Sequence, residues 1–240
     1  MLSHSICDVV IENPAAADVL EKLDIDYACR GGRALGDVLS ESGISLDAFI
    51  GEVDRVACMK TGNPPGPDWR VVPLRTLIRH IVDKHHAYLR FELPALDKEI
   101  TMNPEQRPGE RELLLVLQRA IQRFQRKLEV QMRKEEVILF PAISDLETTL
   151  MSGASPAESL FGSVANLSRA MEEENNGAAG ALREIRILSN NYTCPPDVST
   201  GLKTLLKRLQ ILAADTHQHL HLENNILVPR AIRLERGGTP

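Results

Sequence analysis

The chain has 240 residues, enough for one large domain or for a small and a medium one. It is 43% hydrophobic and 25% charged with a formal net charge of −5, a soluble composition that argues against nucleic-acid binding as a main role. Aromatic residues make up only 4%, while Leu, Ala, Glu and Arg are common, so helix is favoured over sheet.

The cysteines Cys7, Cys29, Cys58 and Cys194 are scattered without a CxxC spacing, which fits a reducing cytoplasm better than a disulfide scaffold. No basic segment followed by an apolar run stands at the N-terminus, and no stretch approaches about 18 consecutive apolar residues. Neither a signal peptide nor a transmembrane helix is read, and the expected location is cytoplasmic.

Residues 1–62 read as a small helical domain. Asn13-Pro14 opens a short helix carrying Val19, Leu20 and Leu23, Gly31-Gly32 is a turn, and Leu35, Val38 and Leu39 repeat at helical spacing. Ser45 caps a third helix with Leu46, Phe49, Ile50 and Val53 inward. The Pro- and Gly-rich stretch within 63–70 reads as a linker, and residues 71–240 as four long helices.

The first of these runs over about 73–98, with Pro94 kinking or ending it, and the second from Gly109 to about Phe140. The third runs from Ser155-Pro156 to about Asn191, and the fourth from Asp197–Ser199 to Pro229. Four amphipathic helices with modest connections predict an all-α chain, an antiparallel four-helix bundle preceded by a small helical domain.

One template occurs twice. Gln131-Met-Arg-Lys-Glu135-Glu-Val-Ile-Leu-Phe-Pro141 and His219-Leu-His-Leu-Glu223-Asn-Asn-Ile-Leu-Val-Pro229 share a polar residue, then Glu four positions on, then Ile-Leu and Pro. That spacing stacks the first residue and the Glu one turn apart, and the Pro is expected to close the helix. At about 100° per residue, Gln131, Glu135, Glu174, Asn175, His219 and Glu223 fall on the apolar stripes, while Glu136 points away. His217 and His221 fall on another flank and read as exposed, and His80 and His85 as surface or packing residues.

Buried carboxylates need partners or a cation. Two readings stand: a metal site built on His and Glu, or a polar network in which His, Gln and Asn satisfy the Glu side chains.

These motifs resemble the hemerythrin-like repair-of-iron-centres family, the iron–sulfur cluster repair di-iron proteins. The resemblance is carried by Leu93-Pro94, by Lys134-Glu135-Glu136-x-Ile-Leu-Phe-Pro141, by Leu222-Glu223-Asn224-Asn225-x-Leu-x-Pro229-Arg230, and by Asp26-Tyr27-Ala28-Cys29-Arg30-Gly31-Gly32 in the small domain. It implies iron bound in the bundle, with Glu135 and Glu223 as bridging carboxylates and His219 as a ligand. It implies His86 as the first-helix histidine, counting back from Leu93-Pro94, although periodicity alone prefers His85. The role it implies is protection or repair of iron–sulfur clusters under nitric oxide or oxidative stress, with iron–sulfur proteins or another protein as partners. A homodimer is compatible with it, and neither a membrane nor a nucleic acid is implied.

The chain departs from that family at several ligand positions. Gln131 and Asn175 stand where histidines are expected, and no histidine lies between His86 and His217. Ala28-Cys29 replaces a cysteine pair, leaving Cys29 as a single candidate redox thiol. Amide oxygens are weak, neutral ligands for iron, so His86, Glu135, His219 and Glu223 are expected to hold at most one iron per chain, or none. Gln131, Glu174 and Asn175 then act behind the ligands or replace them. No catalytic residue is assigned. The alternative function is a non-catalytic metal- or redox-sensing or partner-binding protein that has lost the di-iron centre.

Overall fold

A computed structural model describes residues 2–28, 30–59, 67–102, 109–153 and 162–238, without the side chains of 172–175. The described residues form helices and no strand. None of these helices is long and apolar enough to cross a membrane. The chain divides into two compact units, residues 1–72 with 217–229, and residues 73–216 with 230–240.

In the first unit α1 (Ile6–Glu12) begins at Ser5, whose Oγ accepts from the Asp8 N–H at 3.2 Å. The sequence reading had no helix here. Asn13 Oδ1 accepts from the Ala15 N–H and starts α2 (Ala15–Lys22). After the Gly31-Gly32 turn come α3 (Leu35–Glu41) and α4 (Leu46–Met59), the latter capped by Ser45 Oγ from the Ala48 N–H at 3.2 Å. Ile6, Val9, Leu20, Leu35, Leu39 and Phe49 fill its core.

Residues 217–229 are held in this unit by side chains. Asn225 Nδ2 donates to the Tyr27 and Ala28 carbonyls at 3.1 and 3.3 Å. His217 Nδ1 lies 2.5 Å from Glu21 Oε1, and the Tyr27 ring meets His217 and His221 edge-on. His221 is therefore buried rather than exposed, and that burial pushes its pKa down to about 4. Burial, then the charge of Glu21, pushes the Tyr27 phenol up.

The second unit is built from the long helices at 74–102, 110–151, Val164–Leu188 and 200–235, the last lending its 217–229 stretch to the first unit. Buried carboxylates fix their directions. Glu147, near the end of the second helix, accepts from the Leu74 and Arg75 N–H groups that open the first. Glu110, at the start of the second, accepts from the Ser199 N–H and hydroxyl that open the fourth. Glu235, at the end of the fourth, accepts from the Val164 N–H that opens the third. Carboxylates belong at helix N-termini, where N–H groups lack internal partners. Ends so joined require the first and second helices to be antiparallel, the second and fourth parallel, and the third antiparallel to the fourth. The bundle is up-down-up-down, around Leu93, Leu96, Leu117, Phe124, Leu182 and Leu209.

The prolines do not end helices. Pro94 lies inside the first helix, which runs on to Met102. Pro141 and Pro229 are followed by helix to Met151 and to Glu235. Each of the three is exposed, so water can meet the carbonyl that proline leaves unbonded. A wider π turn also precedes each template proline. The Phe140 N–H bonds the Glu135 carbonyl and the Val228 N–H bonds that of Glu223, five residues back in both cases. The shared template thus produces the same local break twice, at each glutamate. A third π turn, Ile81–His86, ends on the histidine of the first helix.

Candidate metal centre

The second bundle helix brings Gln131 and Glu135 to one buried face, as their spacing of four requires. Gln131 Nε2 donates to Glu135 Oε1 at 2.8 Å. The other end of the amide, Oε1, is buried with no hydrogen-bond partner among the described residues.

His86, on the facing first helix, is 0% exposed. Its Nε2 lies 3.4 Å from Glu135 Oε2, and its Nδ1 lies 2.6 Å from Glu136 Oε1. The ring stacks on Phe140 with centroids 5.8 Å apart. Glu136, set aside by periodicity, therefore faces the histidine. Arg90 Nη2 donates to Glu136 Oε2 at 2.9 Å. Burial works to raise the Glu136 pKa, but the hydrogen bonds from Arg90 and His86 outweigh it and hold the carboxyl below its usual range. The tandem of two glutamates offers a second carboxylate of the kind that the outer nitrogen of a ligand-type histidine often meets, but it does not say which histidine.

His85 turns elsewhere. It too is 0% exposed, but its Nδ1 lies 3.0 Å from Asp215 on the fourth helix, not at a surface. Periodicity could not separate two adjacent residues that are both buried. Asp215, the partner of His85, had no sequence signal.

On the fourth helix His219 and Glu223 stack one turn apart, Nε2 3.2 Å from Oε1, both buried. One ligand atom from each of His86, Glu135, His219 and Glu223 lies within 4.8 Å of every other. Two imidazoles and two carboxylates in a buried cluster match the donor set of a single first-row transition-metal ion. Cys29 and the side chains of Glu174 and Asn175 lie outside the described residues, as does the first half of the expected linker, 63–66.

Known proteins share these features. The family model of the hemerythrin HHE cation binding domain matches residues 77–231. That of ScdA_N, a domain of unknown function (DUF542), matches residues 2–57. The chain is 28% identical over 225 residues to the iron-sulfur cluster repair protein YtfE of Citrobacter koseri, covering 94% of each chain. The YtfE proteins of Escherichia coli O81 and Escherichia fergusonii match with the same identity and coverage. With the family match spanning more than half of its length, and the His/Glu cluster inside the matched segment, this chain belongs to the hemerythrin HHE cation-binding family.

Proposed function

We propose that this chain binds a single iron ion through His86, Glu135, His219 and Glu223 and serves in the repair of iron–sulfur clusters damaged by nitric oxide or oxidants. The observation that carries the reading is the buried convergence of those four side chains. The YtfE relatives, named for cluster repair, support the role. The site of action in this reading is the cytoplasm, and the partners are damaged iron–sulfur proteins.

Bound iron would supply a redox-active Lewis acid in a shielded pocket. The chain's own residues prepare that pocket. Gln131 holds one oxygen of Glu135, leaving Oε2 toward His86, and Phe140 walls one face of the imidazole. Two carboxylates would balance the charge of a divalent cation, which removes the cost of burying them unpaired.

Elemental analysis of protein expressed in iron-supplemented medium tests the binding, and recovery of a nitric-oxide-damaged [4Fe–4S] enzyme tests the repair. About one iron per chain is expected, with both iron and recovery lost in Glu223→Gln. Iron-free protein that folds normally would overturn the reading. A specific observation then favours the second reading, a partner-binding or sensing protein: the Gln131 amide already satisfies Glu135 Oε1 without a cation.

A further inference from the structure

We propose that Glu136 is a positioning residue for His86, holding the ring by its Nδ1–H so that Nε2 is the nitrogen presented to a metal ion. The inference rests on the metal-binding reading above. His86 is fully buried and stacked on Phe140, so water does not choose its tautomer. In a neutral imidazole only one nitrogen carries the proton, and the partner of the other nitrogen decides which. Nδ1 lies 2.6 Å from Glu136 Oε1, whereas Nε2 lies 3.4 Å from Glu135 Oε2. Both neighbours are carboxylates, whose oxygens accept, and only the Nδ1 contact is as short as a good hydrogen bond, so Nδ1 is the donor.

Arg90 stands four residues after His86 on the first helix and donates to the same carboxylate at 2.9 Å. That bond fixes the rotamer of the carboxylate that meets His86. The Arg90 and Glu136 side chains are 46% and 27% exposed, and an ion pair that exposed contributes little to stability. Adjacent glutamates thus serve opposite edges of one ring, Glu135 on the inner nitrogen and Glu136 on the outer.

Three variants test the role: Glu136→Leu, which removes the acceptor, Glu136→Gln, which keeps an acceptor oxygen, and Arg90→Met. Two readouts are used, Zn(II) affinity by competition with a chelator, and the His86 Nδ1–H signal in 15N-labelled protein with and without Zn(II). Glu136→Leu is expected to weaken Zn(II) binding by about 10- to 100-fold and to abolish the hydrogen-bonded Nδ1–H signal. Glu136→Gln should restore both to within a few-fold, and Arg90→Met should fall between, with folding of all three checked by circular dichroism. If Glu136→Leu keeps parental affinity and the Nδ1–H signal, the positioning role is wrong while the metal site stands. If the parent protein binds no Zn(II) or iron, the metal reading fails. The Nδ1–H signal of the metal-free protein then decides the tautomer by itself.

Discussion

Gln131 donates its amide N–H to Glu135 Oε1 at 2.8 Å from one helical turn away, both side chains buried. The bond does two things. It satisfies one oxygen of a buried carboxylate, and it occupies the position from which a histidine would reach the same pocket.

Replacing Gln131 by His should therefore strengthen iron binding by about tenfold or more, since a nitrogen donor takes the place of a weak neutral oxygen. Affinity should rise as pH passes about 6.5, where imidazole loses its proton. Chelator competition across that range is the check, and unchanged affinity in a folded variant would show that the pocket no longer admits a ligand there. Gln131→Leu removes the donor instead, and should destabilise the metal-free protein by about 1–3 kcal/mol in urea unfolding.

The carboxylate caps that set the bundle's directions make a second prediction. Glu147→Ala leaves the Leu74 and Arg75 N–H groups without their acceptor, the first bond being 2.6 Å long and buried. A loss of about 1–2 kcal/mol is expected, with Glu147→Gln recovering part of it through its remaining carbonyl oxygen. Equal stability of parent and Glu147→Ala in urea would mean that the caps follow the fold without supporting it.

Two adjacent glycines should respond in opposite ways. A Cβ on Gly31 would sit 2.5 Å from the Tyr27 carbonyl and 2.7 Å from Cys7 Cβ, whereas one on Gly32 meets nothing within 4 Å. Gly31→Ala should lower the unfolding midpoint of the first unit, because backbone must shift to admit the methyl. Gly32→Ala should leave it nearly unchanged. Limited proteolysis and thermal unfolding of the two variants, side by side, are the measurement.

His80 gives a pH dependence. Burial, then the charges of His85 and Lys84, push its pKa down from 6.5 to about 4, against weaker opposite effects of Asp215 and Asp83. The unfolded chain thus binds the proton more readily, so this residue's contribution to stability falls as pH drops from about 6.5 towards 4. His80 is only half-buried, and the slope should be modest. Metal-free His80→Gln should lose less stability than the parent between pH 7.5 and 5 in denaturant unfolding. Parallel profiles would show that the ring is protonated without cost.

By itself the sequence determined the helical class, the long bundle helices and the ligand-type residues of the second and fourth. The 3.6-residue period marks which side chains share a face, and Leu117 with Phe124, seven apart, and Leu205 with Leu209, four apart, are buried together. The repeated template put a polar residue and a glutamate one turn apart, and Gln131–Glu135 and His219–Glu223 are so stacked. Periodicity failed where the period itself changes. Three π turns rotate the face at His86, Glu135 and Glu223, and carry the helices past Pro141 and Pro229. Only the tertiary structure decided between His85 and His86, because both are buried and the facing helices alone separate them, Asp215 for one and Glu135 with Glu136 for the other. It also decided the roles of Glu110, Glu147 and Glu136. Their partners lie 89, 73 and 50 residues away along the chain, a distance over which no local pattern can register a hydrogen bond.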